Sequence, residues 1–203
     1  MKGRFVFFML FYVFQCSTAQ SNDKPYGLGF SYGFGDEIRR KDYTFRNQFV
    51  KMQFDYRFKN GKYLKYAMVV QPELNFGEHQ LLNKYFVQPD EPNYEALREE
   101  YTQIKNVREY ILNLGLLVRK PLGKSFSVYL LGSIGPMVTD TRTERLSKGF
   151  AFSDVIALGF SVKTADAYFD IRPSLRHVSN GGLQSSNAGF NTQNIEICML
   201  FDL

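Results

Sequence analysis

Gln48-Phe49-Val50-Lys51-Met52-Gln53-Phe54-Asp55-Tyr56-Arg57-Phe58 decides the fold class. Val50, Met52, Phe54, Tyr56 and Phe58 fall on alternate positions, with Lys51, Gln53, Asp55 and Arg57 between them. A period of two sends successive side chains to opposite faces of an extended strand and fits no helix. Working outward, 26–35 sets Tyr26, Leu28, Phe30, Tyr32 and Phe34 against glycines and Ser31. The span 63–76 sets Leu64, Tyr66, Met68, Val70, Leu74 and Phe76 against Lys65, Gln71, Glu73 and Asn75. The pattern continues more loosely over 108–119, 125–138, 149–162, 166–179 and 194–203, which makes eight strands.

The connections take turns in length. Short ones at 59–62, 121–124 and 163–165 include the turn-forming Asn60-Gly61 and Gly123, while 36–47, 77–107, 139–148 and 180–193 are long. Alternating short and long links, with both termini on the short side, describe an antiparallel up-and-down β-barrel with its long loops at one end. Outer-membrane barrels have that arrangement. Periodicity alone does not assign the lumen, because a soluble lipocalin-like barrel would turn the apolar face inward. The membrane version is favoured by the loop asymmetry and by an apolar face that runs to Leu203. It is also favoured by a polar face mixing Lys51, Asp55, Arg57, Glu73, Glu109, Asp170, Arg172 and Arg176, as a narrow lumen filled by paired charges requires.

The N-terminus reads as an export signal. Lys2 and Arg4 precede an apolar run from Phe5 to Phe14, and Ser17-Thr18-Ala19 supplies small residues before cleavage after Ala19. That run is too short to span a bilayer as a helix. Residues 20–203 form one barrel domain in this reading, without internal repeats. Losing Lys2 and Arg4 takes the formal charge from +5 to +3, which excludes a strongly basic nucleic-acid binder. Only Cys198 survives cleavage, so no intrachain disulfide forms. Export without a helical anchor leaves the periplasm or the Gram-negative outer membrane as the address.

Chemistry concentrates near the C-terminus. His177 and Ser179, two apart at the end of an alternating strand, share a face, and the Asn-, Gly- and Ser-rich stretch 180–191 follows them. The chain has two histidines, His79 and His177, so general bases for neutral pH are few. A histidine in a strand is most often a packed or solvated residue, and His79 reads as structural. His177 and Ser179 share parity with Phe169, Ile171 and Leu175, which places them on the lipid side of a membrane barrel. Polar groups facing lipid are costly and need a reason. A Ser–His pair opening onto lipid suits an esterase, with oxyanion donors from the backbone of Asn180, Gly181 and Gly182 or from the Asn187 amide.

His177-Val178-Ser179-Asn180-Gly181-Gly182, followed by Asn187-Ala188-Gly189 and Asn191, resembles the lipid A 3-O-deacylase family, whose motif runs His-x-Ser-Asn-x-Gly, then Asn-x-Gly and a third catalytic residue. The resemblance implies an eight-stranded outer-membrane barrel that hydrolyses the ester-linked acyl chain at position 3 of lipid A. By position, His177 is the base, Ser179 the nucleophile, Asn180 and Asn187 oxyanion or supporting residues, and Asn191 the third member. The family pattern has glutamate where this chain has Asn191. An amide oxygen can hold a histidine tautomer but cannot offset an imidazolium charge. Glu196, close in sequence, reads as lumen-facing.

Arg39, Arg40, Lys41 and Arg46 in the first long loop and Arg142, Arg145 and Lys148 in the third are cations suited to lipid A phosphates, or simply solvated loop charges. The second long loop, with Asp90, Glu91, Glu95, Glu99 and Glu100, carries no chemical motif. No metal-ligand spacing, phosphate loop or nucleotide fingerprint occurs, so neither metal nor cofactor is expected. The expected partners are lipid A of lipopolysaccharide and the outer membrane, without nucleic acid, and a homodimer is left open. Two rivals stand beside the deacylase: a non-enzymatic structural or adhesin barrel, and a soluble lipocalin-like lipid binder.

Overall fold

A computed structural model describes residues 24–38, 41–165 and 167–203. The expected signal peptide, 1–19, lies outside the described residues, as do Arg39 and Arg40. Eight strands follow in order: β1 (Tyr26–Glu37), β2 (Tyr43–Asn60), β3 (Lys65–Leu81), β4 (Lys105–Pro121), β5 (Phe126–Thr139), β6 (Gly149–Lys163), β7 (Ala167–Ser179) and β8 (Phe190–Asp202). Each pairs antiparallel with the next, and β8 returns to β1 in the register Phe30↔Met199, which closes the barrel. Closure removes the unpaired edges that no sheet can leave open in hydrocarbon.

The side chains settle which face lines the lumen. Phe54, Leu114, Ile156, Phe160, Ile171 and Ile197 on the apolar parity are exposed on the outside. Lys51, Glu73, Glu109, Asp170, Arg172, Arg176 and Glu196 are buried within. The soluble-binder arrangement would have required the reverse. The interior charges are paired: Lys51 Nζ lies 3.3 Å from Glu73 and 3.2 Å from Glu196, Arg172 lies 3.2 Å from Glu196, and Arg176 lies 2.6 Å from Glu109. Tyr129 Oη donates to Asp170 at 2.7 Å and accepts from Arg172 Nε at 2.9 Å. Removing one member of such a pair strands a buried charge and costs about 3–5 kcal/mol.

Four strands run three or more residues further at the loop end than the alternation suggested. β2 starts at Tyr43, β3 ends at Leu81, β4 starts at Lys105 and β8 starts at Phe190. Toward the loop end outward positions turn polar (Arg46, Gln48, Glu78, Gln193), so the apolar stripe is broken while the hydrogen-bonded ladder continues. Inward, that end is plugged by Tyr43, Phe45, Val107, Ile111, Met137, Leu146, Ala151, Val178 and Phe190. The β3–β4 connection contains a 3₁₀ turn (Lys84–Phe86) and helix α1 (Tyr94–Thr102). Leu81, Val87 and Tyr101 are buried together there, and Arg98 donates to the Val87 carbonyl.

Candidate active site

Register brings the motif together. In the β7–β8 ladder His177 pairs with Asn191, and in the β6–β7 ladder Phe152 pairs with Ser179. His177 and Asn191 are exposed on the outer surface, and Ser179 is half-buried. Asn191, read from sequence as part of a loop, therefore stands on β8, where its side chain is fixed by sheet geometry. Because one face of each strand serves the site, the other is available to anchor it. Arg176 donates to Ser153 Oγ at 2.8 Å and pairs with Glu109, Val178 is fully buried, and the Phe190 ring lies 4.5 Å from that of Phe45. The backbone beneath the site is thus held by a packed plug.

His177 Nδ1 lies 2.8 Å from Asn191 Oδ1. An amide oxygen only accepts, so Nδ1 carries the proton and Nε2 keeps the lone pair. The arrangement leaves a lone pair at Nε2 that can accept a proton, with a hydroxyl two residues along the same face; one strand repeat separates their Cα atoms by about 6.6 Å.

The loop after Ser179 is organised by Asn180, which is completely buried. Its Oδ1 accepts from the Gly182 N–H at 3.0 Å, its Nδ2 donates to the Ser186 carbonyl at 2.9 Å, and its N–H donates to Asn187 Oδ1 at 2.7 Å. The Asn180 and Gly182 N–H groups are thereby occupied. The Gly181 N–H lies between them, and the Asn187 amide is fixed through its oxygen with its Nδ2 at the other end. Gly189, at φ +62°, seats the returning chain: a Cβ there would stand 2.5 Å from the Val178 carbonyl oxygen, 3.5 Å from His177 Cε1 and 3.6 Å from Ser179 Cβ. Any side chain would push between the two strands at the His–Ser pair.

The β5–β6 connection braces this loop. Arg145 donates through Nε to the Gly189 carbonyl at 2.5 Å and through Nη2 to that of Ala188 at 3.3 Å. Its guanidinium lies over the rings of Tyr43 and Phe86. The Gly189 N–H returns a bond to the Arg145 carbonyl, Leu146 bridges to Asn187, and Ser147 and Ser186 bond each other. Arg145 is committed to the protein, whereas Arg142 is exposed at the rim. His79 is buried with Nε2 2.8 Å from Glu144, facing inward away from the site. Glu196, facing the lumen as expected, is bound to Lys51 and Arg172.

Sequence reasoning passed over two residues that border the motif. Arg145 was grouped with surface cations, since nothing local marks it as a brace. Asp154, exposed on the outer face of β6, pairs in register with His177 on the side away from Asn191. Its signal was present: it interrupts the apolar series Phe150, Phe152, Ile156, Leu158, Phe160.

Among solved structures, the barrel is similar to the outer membrane enzyme PagL, with a TM-score of 0.61 at 12% identity over 84% of this chain and 97% of that one. It is also similar to Neisserial surface protein A, with a TM-score of 0.50 at 9% identity over 90% and 100% of the respective chains. At such identities the likeness is one of fold. A search of curated proteins found no match. A family-level comparison matches residues 92–199 to "Lipid A 3-O-deacylase (PagL)", a span that includes Asp154, His177, Ser179 and Asn191. That span is 108 of 203 residues, more than half the sequence, and the chain belongs to the lipid A 3-O-deacylase (PagL) family.

Proposed function

We propose that this chain, an outer-membrane lipid A 3-O-deacylase of Gram-negative bacteria by its family, works as a serine esterase with Ser179 as nucleophile and His177 as base. The observation that carries the reading is the Asn191-held imidazole on the lipid-facing surface, two residues from a hydroxyl on the same strand. His177 Nε2 takes the Ser179 proton as Oγ attacks the ester carbonyl carbon. The resulting oxyanion meets the Gly181 N–H and the Asn187 Nδ2. His177 then gives its proton to the departing sugar 3-oxygen, leaving an acyl-serine. Water, deprotonated by the same nitrogen, releases the fatty acid and restores the serine. Asn180 serves as the brace that presents the Gly181 and Asn187 donors.

Location does as much as chemistry. Toward the bilayer, beginning immediately below the site, a groove of about 760 Å³ is lined by Ile156, Pro173, Leu175, Gln193 and Ile195. In this reading it holds the acyl chain while the sugar head stays at the polar rim, where Arg142 is exposed. Arg39 and Arg40, outside the described residues, remain candidates for phosphate contact. The rival non-enzymatic barrel gives no account of a polar pair held in register on a lipid-facing surface.

The test is mass spectrometry of lipid A from cells expressing wild type or Ser179→Ala at equal outer-membrane levels. Loss of one 3-linked hydroxyacyl chain with wild type alone is expected. An unchanged spectrum with wild type, or the same loss with Ser179→Ala, overturns the assignment. A homodimer, left open by the sequence, is read out by cross-linking in the same membranes.

A further inference from the structure

Asn191 leaves an electrostatic gap. When His177 takes the serine proton it becomes a cation, and the neutral amide that holds Nδ1 offers no charge to meet it. The opposite flank holds a carboxylate. β6 pairs Asp154 with His177, both exposed on the outer face, and directly opposed side chains in antiparallel sheets have Cβ atoms about 4.5–5.5 Å apart. Phe150 and Phe152 precede Asp154 on that face, while Ile156, Leu158 and Phe160 follow it. At the head-group boundary such a carboxylate costs little, and it is the acidic group that the register sets directly beside His177. It has no hydrogen bond or ion pair with any described residue, unlike the lumen carboxylates Glu73, Glu109, Asp170 and Glu196.

We infer that Asp154 is a positioning residue for this reaction, supplying from β6 the negative charge that stabilises the His177 imidazolium and that Asn191 does not provide from β8. The inference rests on the Ser179–His177 reading above. It divides the usual work of one carboxylate between two side chains. Asn191 fixes the tautomer through a hydrogen bond, and Asp154 lowers the energy of the charged state through space. No atom of Asp154 touches the ester, so its effect belongs in the rate of the chemical step rather than in substrate affinity.

The experiment uses purified full-length protein in detergent micelles with lipopolysaccharide as substrate. Heat-modifiable gel migration verifies that each variant is a folded barrel. Asp154→Asn is expected to lower kcat by about 10–100-fold with KM held within about twofold, the signature of a loss confined to the transition state. Asp154→Glu should restore most of the rate. Asn191→Glu in the Asp154→Asn background should also restore it by about tenfold or more, since it returns a charge to the other flank. The inference is overturned if Asp154→Asn keeps kcat within about threefold of wild type, or if neither restoring variant recovers what it loses. Ser179→Ala separates the two levels. If that variant is inactive while Asp154→Asn runs at the wild-type rate, this inference alone falls; if it stays active, the site reading falls and takes this inference with it.

Discussion

Gly189→Ala tests whether the return of the chain into β8 sets the catalytic geometry. Gly189 has φ +62°, and an added methyl would stand 2.5 Å from the Val178 carbonyl oxygen, 3.5 Å from His177 Cε1 and 3.6 Å from Ser179 Cβ. Ordinary contact begins near 3.4 Å, so the carbonyl must retreat by 3.4 − 2.5 = 0.9 Å. That oxygen belongs to the Val178–Ser179 peptide, so its retreat moves Ser179 directly and His177 through Val178. A misplacement of about 1 Å costs on the order of 100-fold in rate, while a non-glycine residue in the left-handed region costs about 1–2 kcal/mol of stability. The variant should therefore fold, melt somewhat earlier, and lose about 100-fold in kcat when assayed on lipopolysaccharide in micelles. Gly149→Ala is the control. Gly149 has φ +120°, and its methyl would meet only the flexible end of Gln184 at 3.1 Å. Comparable destabilisation with kcat within about threefold of wild type is expected there. If Gly189→Ala matches its control in rate, the reasoning from close approach to geometry is refuted.

Three further outcomes follow from particular contacts. Asn187→Ala removes the proposed oxyanion donor and unties Asn180, and should lower kcat by about 100–1,000-fold in the same assay; a loss under about tenfold would move the oxyanion site elsewhere. Arg145→Ala breaks the bonds to the Gly189 and Ala188 carbonyls and should cost about tenfold in kcat/KM, equally on bisphosphorylated and monophosphorylated lipid A. A loss confined to the bisphosphorylated substrate would instead make Arg145 a phosphate ligand. Glu196→Gln removes the carboxylate that Lys51 and Arg172 share, leaving Lys51 on Glu73 and Arg172 near Asp170, and should destabilise the barrel by about 1.5–3 kcal/mol, measured by urea unfolding in micelles. Its kcat at 25 °C should stay near wild type, because the site lies on the other surface.

The barrel was legible because every strand faces two solvents at once. Lipid outside and a charge-filled lumen inside force the alternation seen at Val50, Met52 and Phe54 against Lys51, Gln53 and Asp55. Where that contrast ends, so does the signal. At Arg46, Glu78 and Gln193 both the ladder and the barrel continue, but the outward residues are polar as well and the pattern fades. Asn191 vanished into a supposed loop for this reason. Helix α1 went unread because Asn93 and the short, acidic run after it carry a weak apolar face; its burial rests on Tyr101 packing with Leu81 and Val87. His177, Ser179 and Asn187 were singled out by their spacing along the chain. Asp154 was not, since its meaning is a register shared with a strand more than twenty residues away.

The same physics explains why the site is on the outside. The lumen is committed: Arg172, Glu196, Lys51, Glu73, Arg176 and Glu109 satisfy one another there, and loosening any of them endangers the fold. The outer face has no such duty, because packing on that side is supplied by lipid. A polar residue there costs little near the head-group boundary. His177, Ser179, Asn191 and Asp154 sit at that level, with Leu175, Ile156 and Ile195 continuing toward the acyl region. An ester bond joining a sugar to a fatty chain lies at this same boundary. With the proposed base and nucleophile, the enzyme needs no deep pocket to bring substrate and nucleophile together; it needs a rigid β6–β7–β8 surface presenting them at the correct depth. Rigidity comes from the inward neighbours Arg176, Val178 and Phe190, one residue removed from the groups they hold. Catalytic placement and barrel stability are therefore carried by alternate residues of the same strands. This is why substitutions of one parity should act on kcat and those of the other on unfolding.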